Sequence, residues 1–270
     1  MKLAFSTLGC PGWSWNEVFA AAKDLGMDGI EIRGLEEEMF APAAKPFLPE
    51  NMTATAKRME AAGMTFSMLT SGACLGTDEP ERYLAEAKEY ISLAARLGVS
   101  DVRVMCTSTP QPVETDLEQT RRLYLELVEY AAETGAGVHV DIETNGVLAD
   151  SAAMKKFMDG VPKENSGVLW DIHHPYRYFG EKPEYTCANI GDRVRYLHVK
   201  DSVMTPDGVA YRMMGYGDVP VFDTLRLLKE NGYEGFISLE WLKRWCPELQ
   251  EPGIVFAHYA NYMQYLMTQI

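Results

Sequence analysis

The sequence predicts an α/β fold, a single (β/α)8 barrel over residues 1–270, and three observations carry that prediction. Seven amphipathic stretches each end at a glycine and are followed by a short apolar or β-branched run. The 270 residues divide into eight units of about 34 residues, a normal length for one strand and its helix. No GxGxxG follows the first run, which weakens the case for an open dinucleotide-binding sheet.

The opening strand is Leu3 to Thr7. Gly26 then precedes Gly29 to Arg33, Gly63 precedes Met64 to Leu69, and Gly98 precedes Val102 to Met105. Gly135 precedes Val138 to Glu143, Gly160 precedes Val168 to Asp171, Gly191 precedes Val194 to His198, and Gly232 precedes Phe236 to Glu240. A glycine just past a helix lets the chain leave it through a left-handed turn. The intervening stretches read as helices. In Pro80 to Leu97, Tyr83, Ala87, Tyr90, Ile91, Ala94 and Leu97 recur on one face, and residues 114–134 align Leu117, Tyr124, Val128 and Ala131 in the same way.

Composition narrows the class. Asp and Glu number 39 against 25 Lys and Arg, so the net charge of −14 repels phosphate backbones and predicts no nucleic-acid partner. At 47% apolar residues the chain can bury a full core. No apolar run approaches the ~18 residues of a membrane span, so no membrane partner is expected. The opening MKLAFSTLGCPGW is broken too soon by Gly and Pro to read as a signal peptide. Cys10, Cys74, Cys106, Cys187 and Cys246 are scattered and form no CxxC. A reducing, cytoplasmic setting is therefore expected, with neither a disulfide framework nor a thiolate zinc site.

In such a barrel alternate strand residues point into the lumen, and the C-terminal strand ends carry the active site. A purely structural lumen would present Val, Ile and Leu. Here the fifth strand alternates His139, Asp141 and Glu143 against Val138, Val140 and Ile142, which places the polar set inward. The sixth strand ends at Asp171, the seventh points Tyr196, His198 and Lys200 inward, and the eighth Ser238 and Glu240. Glu31 with Arg33, and Arg103, do the same on the second and fourth strands. Glu143, Asp171, His198 and Glu240 close four consecutive strands. Three carboxylates and an imidazole at one rim repel one another unless something pairs them, and one divalent ion per chain (Mn²⁺, Mg²⁺, Co²⁺ or Zn²⁺) suits that donor set. The alternative is separate pairing with Arg33, Arg103 and Lys200.

These residues resemble the xylose-isomerase-like barrels, a family of sugar-phosphate isomerases, ketose 3-epimerases, inosose isomerases and dehydratases, and apurinic endonucleases. The resemblance spans essentially the whole chain and rests on Ile142-Glu-Thr-Asn145, Trp170-Asp-Ile-His-His-Pro175, Leu197-His-Val-Lys-Asp201, Gly215-Tyr-Gly-Asp-Val219 and Ser238-Leu-Glu-Trp241. It implies that Glu143, Asp171, His198 and Glu240 hold one metal and that Glu143 and Glu240 are the acid/base pair. It further implies that His174 reaches a substrate oxygen. Two departures bear on the substrate: Asn145 stands where the family often has His, and Met204 where ketose 3-epimerases place an Arg.

A metal chelating a carbonyl and its neighbouring hydroxyl acidifies the carbon-bound proton between them. Glu143 and Glu240 would then exchange protons through a metal-bound enediolate, giving epimerisation or isomerisation of a sugar, sugar derivative or inosose. Dehydration on the same scaffold, or carbohydrate binding without turnover, are the alternatives. Lys200, Arg33 and Arg103 are candidate ligands for substrate hydroxyls or a phosphate. Trp13 and Trp241, with Trp15 and Trp245, follow neighbouring strands and are candidates for stacking on a sugar at one side of the mouth. His139, deeper in its strand, suggests hydrogen bonding either behind the metal ligands or within the core. An apurinic endonuclease with three zinc ions would need histidines from early strands, and the chain has none before His139. The expected partner is a small-molecule carbohydrate, with a homo-oligomer (dimer or tetramer) left open.

Overall fold

In the computed structural model, which describes residues 1–270, eight parallel strands close into a barrel. They begin with β1 (Lys2–Ser6), β2 (Gly29–Ile32), β3 (Thr65–Cys74) and β4 (Asp101–Met105), followed by β5 (His139–Glu143), β6 (Ser166–Asp171) and β7 (Val194–Val199). An antiparallel hairpin, β8 (Asp201–Thr205) and β9 (Gly208–Arg212), then leaves the barrel before β10 (Phe236–Leu239) returns to close it between β7 and β1. The hairpin is the one sheet element that the glycine repeat did not anticipate, because it lies inside a single βα unit. β3 also runs five residues beyond the expected Leu69.

Nine helices wrap the barrel: α1 (Trp15–Asp24), α2 (Pro49–Ala61), α3 (Pro80–Leu97), α4 (Leu117–Glu133), α5 (Ser151–Phe157), α6 (His173–Phe179), α7 (Pro183–Ile190), α8 (Val221–Glu230) and α9 (Pro252–Met267). α3 follows its sequence rules closely. Pro80 opens it, Gly98 closes it at φ +69°, and Leu84, Ala87, Tyr90, Ile91 and Ala94 are its buried face. α4 starts at Leu117 rather than 114 because the Asp116 carboxylate caps it, accepting from the Gln119 N–H at 2.9 Å. Six of the seven repeat glycines have positive φ; Gly191, at φ −54°, does not. There the chain passes from α7 into a 3-10 turn, Gly191–Arg193, and straight on into β7.

The apolar core lies between strands and helices, where outward residues such as Phe5 meet the helix layer; Phe5 stacks on Phe256 of α9 at 4.1 Å. Inside the lumen only Met68, Leu169 and Tyr196 form an apolar cluster. The rest of the lumen is polar, and that division positions the site. No helix is long and apolar enough to cross a membrane.

Candidate metal centre and active site

Strand register brings four donors to the C-terminal mouth. His198 stands level with Asp171 across β6 and β7 and with Ser238 across β7 and β10. Glu143 pairs with Leu169 in the layer below, and Glu240 lies two residues beyond Ser238. The long glutamate side chains bridge the offset. The donor atoms of Glu143, Asp171, His198 and Glu240 lie within 4.8 Å of one another, and all four residues are buried.

Three cations face these carboxylates. Lys200 Nζ donates to Asp171 Oδ2 and, at 2.5 Å, to Glu240 Oε2. Arg103 Nη1 donates to Glu143 Oε2 at 2.9 Å and lies 3.7 Å from Glu240 Oε1, while its Nη2 donates to Ser71 O at 2.7 Å. His198 Nε2–H donates to Glu31 Oε2 at 3.0 Å. Burial disfavours charge throughout the cluster, and the neighbours outweigh it. Despite burial, Lys200, His198 and Arg103 hold Glu240 well below the ordinary carboxylate range. Asp171 is buried too and is held down by His174 and Lys200. Burial pulls the His198 pKa down, but Glu31 and Glu240 raise it to about 9.

The donor set fits a divalent cation, and the orientation of His198 is the test. Nε2–H is committed to Glu31, and Nδ1 is a buried nitrogen with no hydrogen-bond partner; with the pKa raised, Nδ1 carries a proton that an incoming ion would displace. Nδ1 faces Glu240 Oε1 at 3.6 Å and Asp171 Oδ2 at 3.9 Å. A carboxylate behind an imidazole, fixing its tautomer and aiming its other nitrogen at acidic oxygens, is the arrangement of metal-binding histidines. Three oxygens and one nitrogen suit hard or borderline divalent ions. The separate ion pairs weighed as the alternative also form, through Arg103 and Lys200, so an incoming ion would compete with Lys200 for Asp171 and Glu240.

The other candidates fall into three groups. His174 faces the cluster: its Nδ1–H donates to Thr144 O at 2.9 Å, leaving Nε2 3.6 Å from Asp171 Oδ2. Its neighbour His173 diverges, with Nε2 2.9 Å from Ser202 Oγ in the hairpin and the two rings at 82°. Lys200 and Arg103 touch the ligand set as described, and Arg33 sits one layer further out. Trp15 and Trp170 turn into the helix layer. Trp15 packs against Phe19, Phe47 and Phe66 in the helix layer, and Trp170 is buried there because its strand position points outward. Trp245 is 57% exposed. Trp241 is buried with its indole N–H donating to Gln250 O, and Trp13 meets Phe256 edge-on. His139 does not stand behind the metal ligands: it lies at the opposite, N-terminal end of the lumen, level with Asp101, where its Nδ1 is 3.4 Å from Ser100 O, and it touches no donor of the cluster.

Two features were not read from sequence. Alternation from Arg33 puts Glu31 inward, one layer below the mouth, but its contact with His198 joins strands that are not neighbours in sequence. Tyr211 comes from the unanticipated hairpin and packs against His173 at 5.8 Å, beside Tyr178 on α6, whose ring is 5.9 Å from His174. No period in the sequence pointed to either tyrosine.

A closed (β/α)8 barrel with an acidic and histidine cluster at its C-terminal mouth is the class that fold and site define. A model of the xylose isomerase-like TIM barrel family matches residues 19–257, and the chain belongs to that family. Among curated relatives it is similar to fructoselysine 3-epimerase of Escherichia coli O157:H7, 25% identical over 264 residues that cover 92% of this chain and 93% of the relative. Two solved structures show the same fold. One is a xylose isomerase-like TIM barrel protein from Mycobacterium smegmatis in complex with magnesium (TM-score 0.74, 17% identity, 99% and 97% of the two chains). The other is D-allulose 3-epimerase from Methylomonas sp. (TM-score 0.75, 15% identity, 98% of each chain).

Proposed function

We propose that this protein is a divalent-metal-dependent epimerase or isomerase of a ketose or ketose derivative. The observation that carries the reading is the four-donor cluster with the partnerless His198 Nδ1 turned into it. Glu143, Asp171, His198 and Glu240 would hold one ion (Mn²⁺, Mg²⁺, Co²⁺ or Zn²⁺), which polarises a carbonyl and lowers the barrier to removing the neighbouring carbon-bound proton. Glu143 and Glu240 supply the base and the acid. Both are buried at the mouth and both lie beside Arg103 Nη1, 2.9 Å from Glu143 and 3.7 Å from Glu240, and in this reading they flank one substrate carbon. His174 presents Nε2 to a substrate hydroxyl, and Lys200 donates to a substrate oxygen when the ion takes over its two carboxylates. The relatives named as 3-epimerases favour proton exchange beside a ketone over loss of water.

The test has two parts. Protein purified without chelator or affinity metal is assayed for bound metal by mass spectrometry, with about one divalent ion per chain expected. Metal-loaded protein is then incubated with ketoses in deuterated water. Deuterium should enter the carbon beside the carbonyl, and Glu240→Gln should slow that exchange by ~10²–10⁴-fold. Full exchange in Glu240→Gln with metal still bound would remove Glu240 from proton transfer. Metal-loaded protein that binds ketoses without any exchange would leave a carbohydrate-binding barrel.

A further inference from the structure

Arg33 is the one cation at the mouth that the cluster does not use. It follows β2 two residues after Glu31, on the same inward face and one layer nearer solvent. Its backbone N–H donates to Thr7 Oγ1 at 2.8 Å, but its guanidinium makes no side-chain hydrogen bond, and no carboxylate lies within ion-pair distance of it. The guanidinium lies against Gly72, where a Cβ would stand 3.3 Å from Nη2. Gly72 is the residue after Ser71, whose carbonyl receives Arg103 Nη2. Arg33 therefore stands one step outward, along the edge of β3, from the arginine that touches Glu143 and Glu240.

Burial and the like charge of Arg103 act against the Arg33 cation, while Tyr90, Glu86 and Glu240 favour it from beyond ion-pair distance. The guanidinium opens into a cleft of about 360 Å³ between the ends of β2 and β3, lined also by Glu38, Phe40, Gly72, Arg82, Tyr83 and Glu86. Each of the other charged groups is already engaged. Glu86 Oε1 accepts from Gly72 N at 2.6 Å, Glu38 Oε1 accepts from Phe40 N at 2.8 Å, and Arg82 pairs with Glu79 at 2.7 Å. The Arg33 guanidinium is the one charged group of the cleft with no hydrogen-bond or ion-pair partner.

We infer that the substrate carries a carboxylate at the end remote from the metal-binding cluster, and that Arg33 receives it in this cleft. A single guanidinium matches a single carboxylate in charge and offers it two parallel N–H donors. A phosphate dianion fits less well, because Glu38 and Glu86 stay charged while accepting their backbone N–H groups and repel a dianion about twice as strongly as a carboxylate. The carboxylate belongs either to the sugar chain, as in a keto-uronate, or to an amino acid joined to the ketose. The inference rests on the proposed sugar chemistry at the neighbouring cluster.

Calorimetry on the metal-loaded protein tests it, with a neutral ketose, a keto-uronate, a ketose–amino acid conjugate and a ketose phosphate as probes. At least one of the two carboxylate probes should bind ~30-fold more tightly than the neutral ketose, and which one does identifies the source of the charge. In Arg33→Met that preference should fall to within about threefold, with the thermal midpoint unchanged; Arg33→Lys should retain part of it, as a point charge without the fork. Equal binding of carboxylate and neutral probes overturns the inference. So does a preference that survives in Arg33→Met, or tightest binding by the phosphate. Deuterium exchange on the same samples separates this outcome from the parent reading. Exchange without a carboxylate preference sinks Arg33 alone, while carboxylate-dependent binding without exchange sinks the epimerase and leaves the anion site standing.

Discussion

At the mouth of the barrel Asp171 and Glu240 face Lys200, Arg103 and His198; at the other end of the same lumen Asp141 faces Asp101, with Arg195 Nε 3.8 Å away. Both ends bury carboxylates, yet the environment drives them in opposite directions. The mouth supplies enough positive charge to keep Asp171 and Glu240 ionised against burial. At the far end, burial and the neighbouring Asp101 raise Asp141 well above its usual range, and Arg195 only partly offsets them. Neither oxygen of Asp141 has a hydrogen-bond partner. A polar lumen is therefore not by itself a site. What distinguishes the mouth is a set of ionised acids whose counter-charges can be exchanged for a metal or a substrate.

The sharpest way to break this contrast is to remove the counter-charge at the mouth. Lys200→Met leaves Asp171 and Glu240 without their shared ammonium. In chelator the variant should lose about 3–5 kcal/mol of stability, the cost of leaving one side of a buried ion pair alone. Saturating Mn²⁺ should restore most of that loss, because the ion replaces the missing charge. Urea denaturation with and without metal reads the difference. An equal loss under both conditions would show that Lys200 acts only as a packing element and that the ion sits elsewhere.

A smaller effect is expected behind the cluster. Glu31→Gln keeps an acceptor for the His198 Nε2–H but removes the charge that favours the imidazole's present orientation. Metal affinity should fall by ~10–100-fold, the usual consequence of losing such a partner. Competition against a fluorescent chelator measures it. Unchanged affinity would mean that His198 is oriented by strand geometry alone.

Much of this was legible in the sequence because it depends on period. Alternation along Val138 to Glu143 and Val194 to Lys200 put the right side chains inward, since a strand has only two faces. The glycine repeat located the seven strands after the opening one because each helix must end before its strand begins. What stayed illegible depends on distance between elements. That Glu31 meets His198, 167 residues away, requires the register of β2 against its neighbours through a bulge between Ile30 and Glu31. Trp15 departs from its expected place for a related reason. It opens a helix whose face packs on Phe66. Its proximity to a strand end in sequence said nothing about which side of the wall it occupies. His139 shares its parity with Glu143, but four residues of strand separate the two ends of a barrel.

The smallest expected effect tests the far end of the lumen. Asp141 is protonated when folded and ionised when unfolded over a pH range that starts near the ordinary aspartate value of 3.8. The folded state binds the extra proton there, so stability must fall as pH rises from about 3.8 through the raised folded value; below 3.8 nothing is lost. Asp141→Asn keeps the shape and cannot ionise, and its amide can donate to Asp101. The variant should therefore match the parent at low pH, exceed it in stability at neutral pH, and show a flatter stability profile between the two. Its exchange rate on ketose should stay within about twofold of the parent, since no atom of Asp141 contacts the four donors. A variant that instead lost its metal would tie the two ends of the lumen together through the barrel wall, and the division of labour between them would have to be abandoned.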